Sequence, residues 1–591
     1  MSFTRRFVNR RQGAMAVSAL VASLVMLAAC AAMPTSGPIN SEPRRVTDPS
    51  NRSVLVEPEA PPVGASAAMI IRGFLTAMAS KEPDFVTARQ YLTSEAAEAW
   101  DPSGQVMVYA SGTTPRVSQD QVTLAGSIVG YLNDDGSFVA SSESNWRYVF
   151  ELTKVDGELR ISNPLPGRIL SQYSFNQNYP RLNVYFFPTD GKELVPDPRY
   201  VSSGDPTEAA RLVLAGPSPW LSGIVDHSWL AEVSLAGPVL LTVDGVADVP
   251  LDTKAANLSI VQASRLATEL SASMRSIAGV DRIRLLVNGD YLPLTGALTD
   301  GSLPVVLADQ YDVPDSRVPQ DLVAVIDQHL VRLDPATPTD QFVVNTAWGS
   351  APHPINSLAW RRSDGQVAAV TDQGMLIGTG ADGVEPQSIS DSAAMLRPDY
   401  DQRGNLWLFD QSSGSPSVSV LQGTRKIPVD ASILNGMEIT DFQLSLDGRR
   451  MLLSRLIDDP AGPAVEIGIA LVAYSDSSPS AIIGWQPLRL AWQGATLSSV
   501  IDLAWIGPSS LAVLGAVDNG APQVYASDLD GLSTEQWGMP GHWTPLEMAV
   551  NITSSDPQVV IRVEDGSLWS YDNGYQWKSF AAYVTAITFP K

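Results

Sequence analysis

The chain has 591 residues, a formal net charge of −24 and 44 % hydrophobic residues. That length exceeds a single hydrophobic core and calls for several domains, while the hydrophobic share suits folded domains rather than disorder. The acidic balance excludes nucleic acid as a partner, because phosphate contacts need basic patches, and it opposes broad adsorption to an anionic membrane face.

The N-terminus reads as an export signal. Arg5, Arg6, Arg10 and Arg11 precede an uncharged, largely apolar run from Ala14 to Ala29. A membrane-spanning helix needs about 18 apolar residues or more, whereas a shorter run behind a basic start is a secretory signal. Its end, Leu27-Ala28-Ala29-Cys30, matches the bacterial lipobox. Cleavage between Ala29 and Cys30 would leave the cysteine as the first mature residue, its thiol carrying a diacylglyceryl group. Two or more acyl chains anchor stably where one does not. Cys30 is the single cysteine, so no internal disulfide is open to the exported part. The covalent lipid is the only non-protein group expected. Residues 30–63, rich in Pro, Ser and Ala, then serve as a tether.

An α+β domain is expected over 64–178. Met69, Ile70, Gly73, Phe74, Ala77 and Met78 recur at helical spacing across Ser66 to Ser80, and Phe85 to Trp100 reads as a second helix. Strand-like runs follow, with hairpin turns at Asp135-Gly136 and Asp156-Gly157. Two helices and a curled antiparallel sheet describe a cone like the NTF2-like folds. A small α/β sandwich is expected over 179–302, from a strand at Leu182 to Phe187, a short helix at Thr207 to Leu214, a strand at Val239 to Val243, a longer helix at Ile260 to Ile277 and a strand at Arg282 to Val287. Residues 303–320 are read as a linker.

From 321 to 591 the helical period is lost, and short apolar runs alternate with Gly, Asp and Pro turns. Inner-strand patterns recur at Ile355, Ala394, Ile439, Val500 and Leu546, with spacings in the range of propeller blades. The last run, Val584 to Phe589, has nothing after it. It is expected to complete a first sheet begun at Leu322 to Leu333 and so close an all-β propeller of about six blades.

Few residues carry a signature of catalysis or metal binding. There is no Gly-x-Ser-x-Gly elbow, and Gly216-Pro217-Ser218-Pro219 suits a rigid turn better than a nucleophile. The four histidines, His227, His329, His353 and His542, share no metal-ligand spacing, and no metal is expected. Asp528-Leu529-Asp530-Gly531 and Asn133-Asp134-Asp135-Gly136 half-match a calcium loop but read better as turns. Trp360, Trp407, Trp505 and Trp569 are assigned to packing. Trp537, Trp543 and Trp577, placed near loops, are the candidate binding residues. No catalytic residue is assigned. One alternative is a calcium-dependent propeller hydrolase or lactonase, which would need Asp, Glu or Asn side chains free at one channel mouth. Another is an envelope glycan or peptidoglycan-binding protein, which would align tryptophans along a groove.

Cys30 with Pro34-Thr35-Ser36-Gly37-Pro38, two small domains and a terminal propeller together resemble the actinobacterial lipoprotein LpqB family. The middle domain is similar to a GerMN module through Val184 to Phe187, Ala209 to Ser218, Trp220-Leu221 and Gln262 with its helix. The resemblance implies a non-catalytic accessory protein held by lipid at the outer face of the cell membrane. Its implied partner is the extracellular sensor region of the histidine kinase MtrB. Its implied role is regulation of the MtrAB two-component system in cell-wall homeostasis and division. Only Cys30 carries over as a defined functional residue.

Overall fold

An amphipathic helix, Ala67–Met78, opens the N-terminal domain and buries Ile70, Ile71, Phe74, Ala77 and Met78 on one face. Each large side chain removed from water this way contributes roughly 1.5–3 kcal/mol. The chain is seen here in a computed structural model that describes residues 58–591 apart from 81, 119–120, 142, 144, 312–320, 335–340, 346–347, 349–353, 380–384, 460–461, 493–494, 553–556 and 573–575. The export signal, Ala29, Cys30, the tether up to residue 57 and His353 lie outside the described residues. No helix among the described residues is long and apolar enough to cross a membrane.

The expected second helix is broken. A 3-10 turn, Pro83–Phe85, leads into Val86–Arg89, and a separate helix, Ser94–Ala99, follows. The break is local chemistry. Leu92 bridges to Ile161, and the Thr93 hydroxyl accepts from the Ala96 N–H at 3.2 Å, capping a new start. The expected single curled sheet is also corrected. Two four-stranded sheets form instead. One contains a parallel pair, Val106–Tyr109 beside Arg168–Ser171, which local hairpin signals cannot announce.

The middle domain centres on Val246–Leu251 running parallel to Arg282–Val287, with Leu240–Leu241 at one edge. The helices Pro206–Ala215 and Ile260–Met274 supply apolar faces to its core. The longer helix starts with a capping box between Ser259 and Gln262. Residues 303–311, read as linker, belong to this fold. Leu303 pairs with Ile283 in the sheet, and Val305–Tyr311 forms a 3-10 helix against the long helix.

The C-terminal part is β-propeller-like: six antiparallel sheets in succession, five of four strands and the fifth of five. In the first, Val584–Thr588 pairs with Leu322–Ile326, so the last strand sits innermost in the first sheet and joins the C-terminal segment to the start of the domain. The fourth sheet has unusually long outer strands, Gly462–Ser475 and Ser478–Leu488. Leu471 and Ile483 on them pack into the middle domain's core.

Candidate functional site

Four buried carboxylates stand at the propeller axis, on or beside the inner strands. Each accepts a hydrogen bond from a backbone N–H of the next sheet. Asp399 accepts from Leu444 at 2.9 Å, Asp441 from Leu503 at 3.2 Å, Asp502 from Met548 at 2.7 Å and Glu547 from Ile587 at 3.2 Å. These links bind the third sheet to the fourth and continue to the first. One cation, Arg397, grips both oxygens of Asp502 at 2.6 and 2.9 Å and lies 3.6 Å from Asp441. Arg562 holds Glu547 at 3.0 Å, and the Lys591 ammonium holds Asp399 at 2.6 Å.

Burial governs the electrostatics here. It pushes Asp441 upward, and the charge of Asp502 adds to this while Arg397 opposes it. It raises Glu547 to about 7 against the pull of Arg562 and Arg397. Burial works against the charge of Arg397 too, but Asp502, Asp441 and Glu547 together hold its guanidinium well above the usual range. A hydrolase with an axial cation needs carboxylates free to bind it. These accept from backbone N–H groups and cations, Glu547 through Oε2 alone while its Oε1 is buried without a hydrogen-bond partner among the described residues. The small cavity beside them, about 40 Å³, is walled mainly by inner-strand residues. Among the described residues no group of three or more His, Cys, Asp or Glu is arranged to hold a metal ion.

The second cluster joins domains. Asp190 and Glu193, in the middle domain, meet Arg403 and Arg449 of the propeller. Arg403 reaches Glu193 at 2.6 Å and Asp190 at 3.1 Å, and Arg449 binds Asp190 and lies 3.3 Å from Glu193. Both guanidinium groups lie over the Tyr474 ring, 4.3 and 4.0 Å from its centroid. Burial alone would raise Asp190, but the bonds from Arg449 and Arg403 hold it below its ordinary value.

The Asp528-Leu529-Asp530-Gly531 segment is a turn, as read from the sequence, and it is driven into this junction. Asp528 pairs with Arg181 of the middle domain, and burial pushes Asp528 up to about 6 despite that partner. Asp530 accepts from the Tyr200 hydroxyl at 2.8 Å. Leu532 lies in the core of the N-terminal domain, and its carbonyl accepts from Gln172 at 2.7 Å. Gly531 has φ +71°, and a Cβ there would stand 2.1 Å from the Arg489 carbonyl oxygen. The strand Val195–Tyr200 completes the junction: Asp197 and Arg199 form a buried pair at 2.6 Å, and Tyr200 packs with Phe138 and Phe175 of the N-terminal domain. That strand was not foreseen, because Pro196 and Pro198 argue against a ladder; it is one half of a two-stranded sheet, where proline is tolerated.

Ser218 is buried, and its hydroxyl donates to Asp197 at 2.8 Å. It braces a turn, as the flanking prolines suggested. His227 is half-buried with its ring edge-on to Phe186, and burial lowers it to about 4.

The three tryptophans singled out from the sequence lie close together, but two are not in loops. Trp537 is on the strand Thr534–Gly538 and Trp577 on Gln576–Ala581, the outermost strands of the fifth and sixth sheets. Trp577 donates its indole N–H to the Trp537 carbonyl at 3.1 Å, and Tyr571 stacks on Trp537 with centroids 5.0 Å apart. Trp543, in the connection between the sheets, packs on the same apolar cluster and stacks with His542. All three are half-buried. Trp360, Trp407 and Trp505 are buried, and Trp569 packs half-buried on the same cluster as the first three.

A mixed α/β domain and a small sandwich, both docked on a propeller-like domain, define a multidomain protein built around interfaces. Three family models match it in chain order. Residues 60–176 match the "Lipoprotein LpqB, N-terminal domain", residues 183–292 match "Sporulation and spore germination", and residues 329–590 match the "Lipoprotein LpqB beta-propeller domain". Similar proteins, each called Lipoprotein LpqB, include one from Cutibacterium acnes, 27 % identical over 96 % of this chain and 98 % of that protein. Another is from Streptomyces coelicolor, 27 % identical over 98 % of both chains, and one from Mycobacterium bovis is 28 % identical over 86 % of this chain and 88 % of that protein. A solved TolB structure from Acinetobacter baumannii is 12 % identical with a TM-score of 0.31, across 61 % of this chain and 99 % of that one, too low to add to the assignment. The chain belongs to the LpqB family of lipoproteins, with the family's N-terminal domain, a GerMN domain and a propeller domain.

Proposed function

We propose that this chain is a non-catalytic exported protein, anchored through a lipid on Cys30 at the outer face of the cell membrane. In this reading it binds the extracellular sensor region of the histidine kinase MtrB and so regulates the MtrAB two-component system in cell-wall homeostasis and division. The observation that carries the proposal is similarity to LpqB lipoproteins over nearly the whole length of chain and relative alike. Two features support it. Each axial carboxylate accepts a sheet-to-sheet bond, so the chemistry of the propeller interior is that of closure. An anchor shared with a membrane kinase confines both to one surface and raises their effective concentration.

We place the contact on the half-buried group of Trp537, Trp543 and Trp577. Aromatic side chains of this kind carry much of the energy of protein interfaces. The test is calorimetry of residues 55–591, a compact unit on its own, against the purified sensor domain. Saturable binding is expected, weakened at least tenfold by Trp577→Ala. Binding to cell-wall fragments without binding to the sensor would overturn the kinase reading and favour a glycan ligand.

A further inference from the structure

A cavity of about 300 Å³ lies where the three domains meet. The N-terminal domain contributes the hairpin with Asp135 and Phe138, the middle domain Asp197 and Trp220, and the propeller Leu488 and Asp530. None of the described residues lining it is basic. Its size is at the low end of small-molecule pockets, which run from roughly 300 to 1,000 Å³.

The charges around it are unbalanced. Arg199, just behind the wall, is 2.6 Å from Asp197 and 3.5 Å from Asp135. Asp135 also accepts from the Ser137 N–H and hydroxyl, and Arg211, paired with Glu208, feels the charge of Asp135. Asp530 is bonded by two neutral donors, the Tyr200 hydroxyl and the Leu532 N–H. The nearby Arg181 is taken by Asp528. Burial raises Asp530 as well as Asp528 against the pull of Arg181, whereas at Asp135 burial is outweighed by bonds from Ser137 and the charge of Arg199, which hold it below its ordinary value. The rest of the wall is largely apolar or aromatic.

We propose that this junction cavity binds an ammonium group carried on a compact apolar body, with the ammonium directed at Asp135 and Asp530 and the body against Phe138, Trp220 and Leu488. The same chemistry is presented by a free amine or by a lysine side chain of a partner protein flanked by apolar residues. Because all three domains line the cavity, its occupancy would be felt by their packing. The proposal is independent of the kinase reading and stands if that reading fails.

The test uses residues 55–591 and three matched probes: 4-phenylbutylamine, 4-phenylbutanol and 4-phenylbutyrate. Calorimetry and saturation-transfer NMR should show saturable binding of the amine, at least tenfold weaker binding of the alcohol and none of the carboxylate. Gln486 is exposed on the rim, and Gln486→Trp should fill the cavity and abolish amine binding while leaving the unfolding temperature unchanged. Asp135→Asn should cut the preference of amine over alcohol by at least threefold. Equal binding of amine and alcohol, amine binding that survives Gln486→Trp, or no saturable binding of the amine would each overturn the proposal. A capped Leu-Lys-Phe tripeptide in parallel separates the two sources: tighter binding than the amine assigns the site to a partner's lysine, weaker binding to a free amine.

Discussion

The propeller axis and the domain junction both bury arginine–carboxylate clusters, yet they are built differently. At the axis the carboxylates outnumber the nearby cations and are satisfied largely by backbone N–H groups of neighbouring sheets. At the Arg403–Arg449 contact two guanidiniums meet two carboxylates across a domain boundary, stacked on one tyrosine. The first arrangement closes a ring within one domain; the second fixes the orientation of one domain on another. The difference teaches that a buried charge must be read with its donors. A carboxylate bonded to backbone N–H groups is part of the fold, whatever its resemblance to a metal ligand.

The largest effect is expected at the axis. Arg397→Leu would leave Asp502 and Asp441 buried without their cation, which costs about 3–5 kcal/mol, and calorimetry should show a lower unfolding temperature for the propeller. Arg449→Ala should cost less, about 2–3 kcal/mol for a charged hydrogen-bonded partner. Its distinctive readout is loss of coupling: one calorimetric transition for middle domain and propeller should split into two. An unsplit transition would show that the apolar contacts of Leu471 and Ile483 hold the domains without it.

The two regions should also part in their response to pH. Glu547 is raised to about 7 in the fold. Between its unfolded value, about 4.3, and 7 the folded state holds the extra proton, so this group's stabilisation is present at low pH and lost as pH rises through 7. Asp190 is lowered from 3.8, so its contribution is present above that value and lost as pH falls below it. Glu269, wholly buried on the long helix of the middle domain, follows the first pattern, raised by burial to about 7 and bonded to the Phe187 N–H at 3.0 Å. Glu269→Gln should stabilise the protein by roughly 3 kcal/mol at pH 8 and have no effect at pH 4.5, as read from urea midpoints. The smallest effect is expected for Lys254→Ala. Its 3.9 Å pair with Glu232 is exposed, and the unfolding temperature should not change, since burial and not the number of ion pairs decides.

Much of the element pattern was legible because it is local. The first helix, the long helix of the middle domain and the inner strands at Ile355, Ile439, Val500 and Leu546 carry their own periods, whereas the run expected at Ala394 is no strand and the inner strand there is Asp399–Tyr400. Gly448 and Gly566 turn where Asp-Gly pairs stand, each with positive φ. The break at Leu92, the strand with Pro196 and Pro198, and the parallel pair of the N-terminal domain were not legible. Each is decided by a partner remote in sequence, as Leu92 is by Ile161. The same holds for the candidate sites. Trp537 and Trp577 were named individually, but their placement on neighbouring outer strands depends on how the fifth and sixth sheets lie side by side.

By itself the sequence determined the acidic balance, the succession of an α+β domain, a small sandwich and a repeating β domain, and the resemblance to one lipoprotein family, because composition, period and motif are properties of short segments. Only the tertiary structure decided the rest. It set which sheet bonds to which carboxylate at the axis, drove the Asp528–Gly531 turn between two other domains, and enclosed a cavity with three aspartates drawn from positions 135, 197 and 530. Such placements arise from contacts between residues hundreds of positions apart, and their free energy exists only once the domains have packed.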